Sequence, residues 1–175
     1  MIRRTSTRVV YTNRWMTFHE DRTELPDGTP GLYSYVERPD VAVVIPAERD
    51  GFWLVEQYRY PIGSRSWEFP LGSFPAGESG TPEQLAHREL TEETGLAAAA
   101  LTHLGVLHPA VGTIRQRADV WLATDLTPGE SSREPEEQDM RQSWFPRPEF
   151  EDMIRTSVIT DDLTIAAYTL LLLRR

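Results

Sequence analysis

The stretch that decides the fold is Arg88-Glu89-Leu90-Thr91-Glu92-Glu93-Thr94-Gly95, which closes a segment opened by Thr81-Pro82-Glu83-Gln84. Thr81 suits a helix N-cap, Pro82 the first helical position, and Gln84 completes a capping box. Gly95 is a left-handed terminator, so the spacing predicts one helix over 81–95. At about 100° per residue, Glu89, Glu92 and Glu93 fall in one arc, while Ala86 and Leu90 continue an apolar stripe. Three carboxylates therefore converge beside the core. Like charges at this spacing cost about 0.2–0.5 kcal/mol per pair, so a sequence serving helix formation alone would alternate signs. A hard divalent cation removes the repulsion, and oxygen-only ligands suit Mg2+ or Mn2+. Taken alone, the three glutamates also read as a solvated acidic face.

Working outward, Glu68-Phe69-Pro70-Leu71-Gly72 supplies a strand end and a glycine loop running toward the helix, a strand–loop–helix unit able to bring main-chain oxygens to the same ion. Val41-Ala42-Val43-Val44-Ile45, ended by Pro46, and Gly51 to Gln57 read as central strands buried on both faces. Upstream, Arg8 to Tyr11, Trp15 to Phe18 and Leu32 to Val36 alternate around the tight turn Pro26-Asp27-Gly28. Downstream, strand character returns at 106–107 and 119–123, Thr127 to Asp139 reads as a mobile polar loop, and a strand follows near Trp144. Two helices, over roughly 149–155 and 161–173, close the chain, with Thr160 expected to cap the second and Asp161 and Asp162 at its positive end. The expectation is α+β: one domain over 41–175 and an N-terminal antiparallel β arm over 1–40.

Composition narrows the chemistry. The chain has 175 residues, enough for a self-sufficient core, and no cysteine, which removes thiol nucleophiles, thiolate zinc sites and disulfides. All 18 basic residues are arginine, so lysine-dependent phosphate loops and Schiff bases are excluded. A net charge of -9 argues against nucleic acid and anionic membranes as partners. The apolar run Leu170 to Leu173 is too short to span a bilayer, and residues 1–8 lack a signal-like apolar segment. A cytoplasmic location is expected.

The quoted residues resemble the signature of the Nudix hydrolase family: a glycine, five residues, a glutamate, seven residues, then Arg-Glu-aliphatic-x-Glu-Glu-x-Gly-aliphatic. Arg88 to Leu96 matches every specified position, and Gly72 is followed by five residues and Glu78. Nine residues, not seven, separate Glu78 from Arg88, so Glu78 is left out of the metal set. The resemblance implies a Nudix α/β/α sandwich with a mixed sheet, a Mg2+ site (Mn2+ as a substitute) and hydrolysis of a nucleoside diphosphate linked to another group. By this resemblance Glu89 and Glu93 are metal ligands, Glu92 binds a second ion or its water, Arg88 orients the glutamates, and a main-chain carbonyl near Leu71 or Gly72 completes the coordination.

Val55 to Pro61 followed by Trp67 to Gly72 is similar to the ADP-ribose and nucleotide-sugar pyrophosphatase branch. That similarity implies Arg59 as a phosphate clamp, Glu68 as a substrate contact or the holder of Arg59, Trp15 as a base-stacking residue, and a homodimer built by exchange of the arm. Where this branch carries a loop glutamate after the Nudix helix, the matching stretch His108 to Gln116 has Gln116, which cannot take a proton. The base then falls to Glu134, Glu136, Glu137 or Asp139, or to a helix glutamate. Two functions follow: a pyrophosphatase releasing a nucleoside monophosphate and a sugar phosphate, or a Nudix-fold nucleotide sensor with little or no hydrolase activity.

Overall fold

A computed structural model describes residues 1–133 and 137–174. The chain divides into two compact units, residues 1–40 with 108–117, and residues 41–107 with the described residues from 118 onward. In the first unit, β1 (Arg3–Thr12), β2 (Thr17–Glu24) and β3 (Pro30–Glu37) form an antiparallel meander, and the two-residue β9 (Ile114–Arg115) adds in parallel to β3. Trp15 and Met16 lie in the β1–β2 turn, not in a strand as the alternation suggested. The reason is local: Asn13 Oδ1 accepts the amides of both residues at 2.9 Å, an Asx turn that competes with the ladder.

The second unit is built on β4 (Val41–Glu48), β5 (Gly51–Arg59), β6 (Ser64–Glu68), β7 (Leu71–Gly72), β8 (Leu96–Leu107), β10 (Ala118–Pro128) and β11 (Arg141–Pro146). Its seven-stranded sheet runs β11-β5-β4-β10-β8, with β6 on β5 and β7 on β4. The pair β4–β10 is parallel, so the sheet is mixed. The first six residues of β4 are buried, as a strand covered on both faces requires. Ala42 and Val44 pack on one face against Leu85, Ala86 and Leu90 of α1 (Pro82–Thr94). Val43 and Ile45 pack on the other with Phe52 and Phe69, against Phe150 and Met153 of α2 (Arg147–Arg155) and Ala167 and Tyr168 of α3 (Asp162–Leu173). The layers are α/β/α.

α1 forms as its sequence dictates. Thr81 Oγ1 accepts the Gln84 amide at 3.2 Å, the Gln84 side chain accepts the Thr81 amide at 2.8 Å, and Gly95 terminates with φ of 69°. Two expectations shift. β8 begins directly after Gly95 and runs through an alanine-rich stretch with no strand signature, held by its antiparallel register with β10. The cap of α3 is Asp161, whose carboxylate accepts the Thr164 amide at 2.7 Å, so the cap lies one residue beyond Thr160.

Thr81→Ala should cost about 1 kcal/mol through the lost cap and lower Tm by about 2–4 °C. Thermal unfolding followed by circular dichroism checks this, and no change would mean that packing alone sets the start of α1.

Candidate active site

The strand–loop–helix unit brings Gly72 and Glu89 into direct contact. β7 pairs with β4 through Ala42–Gly72 and Val43–Leu71, which fixes the main chain at Leu71 and Gly72 beneath the last turns of α1. A Cβ on Gly72 would lie 2.4 Å from Glu89 Oε2, so a side chain there would displace that carboxylate from its present place. One helical turn on, Glu93 is 1% exposed, and neither of its carboxylate oxygens has a hydrogen-bond partner among the described residues. An unpaired carboxylate in such a place is costly unless it is neutralised by a proton or a cation. Its carboxyl is accordingly pushed well above the usual glutamate range, first by burial, then by the negative charges of Glu89 and Glu137, with Arg59 opposing and Glu68 adding to the rise.

Glu92 takes a different path. Its carboxylate accepts from Arg88 Nε at 2.9 Å, and Arg88 Nη1 donates to Glu78 at 2.5 Å. Those two carboxylates hold the Arg88 guanidinium firmly protonated. Arg88 thus orients Glu92 and Glu78 together, and the longer loop returns Glu78 to the helix through Arg88. Among the described residues no three acidic or histidine side chains are gathered closely enough to hold an ion by themselves. What converges is the pair Glu89 and Glu93 with the main chain at Leu71 and Gly72. This all-oxygen set, with two orphaned buried oxygens and a cradle that a Cβ would fill, fits a hard divalent cation.

Arg59, at the end of β5, donates from Nε to Glu68 Oε1 at 2.9 Å and to Oε2 at 3.1 Å, and from Nη2 to Oε2 as well. Glu68 is nearly wholly buried and Arg59 is about one-third exposed, so the fork is anchored on one side and accessible on the other. Burial works against the Arg59 charge, but the hydrogen bonds to Glu68 and the fields of Glu68, Glu93 and Asp161 outweigh it and raise the pKa. Asp161, read from the sequence only as a helix-end charge, therefore sits within the field of this site. Its own carboxyl is raised, chiefly by burial.

The loop carboxylates separate by partner. Asp139 is engaged by Arg65 at 2.6 Å, whereas Glu137 lies within the field of Glu93. Glu134 and Glu136 lie outside the described residues. In the first unit, Gln116 is buried and donates to the Pro39 carbonyl at 2.7 Å, which accounts for an amide at that position. Trp15 is half-exposed in its turn, with the Arg14 guanidinium 4.0 Å from its ring centroid. The proximity of Glu137 to Glu93 carries no local sequence signal, because it depends on how β10 and β11 place the ends of the intervening loop.

A three-layer sandwich whose glycine loop feeds a glutamate-bearing helix is the architecture of a Nudix hydrolase. Residues 36–164 match the NUDIX domain, and residues 2–36 match the nucleoside diphosphate sugar hydrolase N-terminal domain. The chain belongs to the Nudix family, in its ADP-ribose pyrophosphatase-like branch. It is 32% identical over 164 residues to an ADP-ribose pyrophosphatase of Mycobacterium tuberculosis, covering 92% of this chain and 78% of that one. An ADP-ribose pyrophosphatase of Bacillus subtilis is 30% identical over 131 residues, covering 74% and 70%. A crystal structure of an ADP compounds hydrolase superposes with a TM-score of 0.84 at 25% identity, covering 97% of this chain and 91% of the other.

Because the Glu93 pKa is raised in the folded state, its contribution to the metal-free fold is full below the ordinary glutamate value of 4.5 and is lost as pH rises through the raised value. Metal-free protein should therefore lose Tm as pH rises above the ordinary glutamate range, and Glu93→Gln should flatten the decline and melt higher at the alkaline end. Melting in chelator across that rise in pH decides it; parallel curves for the two proteins would show that the Glu93 charge is compensated.

Proposed function

We propose that the chain is a Mg2+-dependent pyrophosphatase that cleaves ADP-ribose or a related nucleoside diphosphate sugar to a nucleoside monophosphate and a sugar phosphate. The observation that carries this reading is Glu93, buried with both oxygens unpartnered, beside Glu89 and facing the field of the Arg59 fork. Glu89, Glu93 and a main-chain carbonyl at Leu71 or Gly72 would hold the ion, with Glu92, kept in place by Arg88, binding a second ion or its water. The chemistry that a divalent ion supplies when bound there is neutralisation of the diphosphate charge and acidification of water.

The protein's own groups do the rest. Arg59, steadied by Glu68, presents its free edge to a phosphate, whose oxygens match a guanidinium fork. Glu137 is the general base: water's oxygen bonds to one phosphorus, its proton passes to the Glu137 carboxylate, and the bond from that phosphorus to the bridging oxygen breaks. The second phosphate leaves with that oxygen. Trp15, on the arm over residues 1–40, stacks the nucleobase, and exchange of that arm between two copies makes the homodimer.

Product analysis over ADP-ribose, other nucleoside diphosphate sugars, dinucleoside polyphosphates and NADH, with and without Mg2+, tests the substrate class. Tight nucleotide binding with no turnover of any of them would make the chain a sensor. Glu137→Gln should lower kcat by roughly 10²–10⁴ with little change in KM. Arg59→Lys keeps a charge beside buried Glu68 but loses the fork, and should cost about 1.5–3 kcal/mol in kcat/KM without changing the metal requirement. Unaltered kinetics would leave Arg59 as an ion-pair residue only.

A further inference from the structure

The segment that leaves β10 packs main chain to main chain on the end of α1. A Cβ on Gly95 would lie 2.9 Å from both the Gly129 oxygen and the Ser131 nitrogen, and the Ser132 amide donates to the Glu92 carbonyl at 3.0 Å. Arg133 follows, and its guanidinium spans both ends of the loop. Nε donates to the Glu93 carbonyl at 3.0 Å, Nη1 donates to the Met140 carbonyl at 2.5 Å, and Nη2 reaches Gln142 Oε1 at 3.5 Å. Met140 is buried and donates its own amide to the Glu137 carbonyl at 2.9 Å.

These bonds form one path from the main chain of Glu93 through Arg133 to Met140 and on to Glu137. The carbonyls of Glu92 and Glu93 belong to the last turn of α1, where no intrahelical donor remains. A guanidinium there satisfies one of them and lies at the negative end of the helix dipole. Its planar fork can serve several carbonyls at fixed angles, which an ammonium on a flexible stem cannot.

We infer that Arg133 is a positioning residue for the reaction, holding the Glu137 turn in register with Glu93 by bridging the Glu93 and Met140 carbonyls. The inference rests on the reading of Glu137 as general base. Arg133 touches neither substrate nor ion in this role. It determines where the base stands, and a displacement of the order of 1 Å at such a group is worth up to roughly 10²-fold in rate.

The test is a double-mutant cycle on the full chain with ADP-ribose and Mg2+. Arg133→Ala should lower kcat by roughly 10–100-fold with KM within about threefold of the parent. Arg133→Lys, the variant least disturbing to the fold, should recover only part of that loss. In a Glu137→Gln background, Arg133→Ala should lower kcat by no more than about twofold, since the base it positions is gone. A readout independent of turnover is hydrogen exchange in metal-free protein, where the Met140 amide should exchange faster in both Arg133 variants. Equal losses in the two backgrounds, or a lowered Tm with kcat and Met140 exchange unchanged, would overturn the inference and leave Arg133 a structural staple. The Glu137→Gln variant alone, if as fast as the parent, would instead overturn the base reading on which the inference stands.

Discussion

A buried carboxylate with no hydrogen-bond partner among the described residues is the constraint around which the second unit is organised. Glu93 sits at the end of α1 where Leu90, one turn earlier, is wholly buried. The helix cannot rotate to expose Glu93 without drawing Leu90 and Ala86 from their contacts with Ala42 and Val44. Burial of the apolar stripe and burial of the charge are one event. Metal-free protein carries the electrostatic cost, and the layers on both sides of the sheet offset it. Catalytic potential is in this sense stored in the fold before any ligand arrives.

Charge in the site is apportioned by arginines. Glu68 is paired with Arg59, Glu92 and Glu78 share Arg88, and Glu56 is paired with Arg65. Among the described residues Glu93 has no such partner. Arg59 acts on it through its field and not by a hydrogen bond, and in the proposed function the oxygens of Glu93 serve a cation and the outer edge of Arg59 a phosphate.

The parts legible in the sequence were those set by local chemistry. Thr81, Pro82, Gln84 and Gly95 bounded α1 correctly because caps and a left-handed terminator depend on their immediate neighbours. Val41 to Ile45 announced a doubly covered strand for a similar reason. Tertiary pairing was not legible: Ala97 to Ala100 lie in a strand because β10 holds them there. Helical periodicity put Glu92 on the arc of Glu89 and Glu93, but it did not show that Arg88 Nε would donate to the Glu92 carboxylate. Asp161 displaced Thr160 as a cap because the first helical turn lies one residue later, a distinction that either side chain would satisfy in isolation. Glu137 and Asp139 stand two residues apart in a polar run, and only the fold assigns one to Arg65 and the other to the field of Glu93.

The close approach of Gly95 and Gly129 bears on how this scaffold can diversify. A side chain on either glycine would meet the main chain of the opposing segment at about 3 Å, and Gly95 also needs its left-handed conformation. Neither position accepts replacement by adjustment of the other, so the contact is inherited whole or lost whole. It fixes where the segment beyond β10 departs, while β11 fixes where the chain returns to the sheet. Within that span Ser132 and Arg133 bond the carbonyls of Glu92 and Glu93, so the segment and the end of α1 hold one another. An exchange at either glycine would therefore reach the helix bearing Glu89 and Glu93, which ties the evolution of that segment to that of the helix.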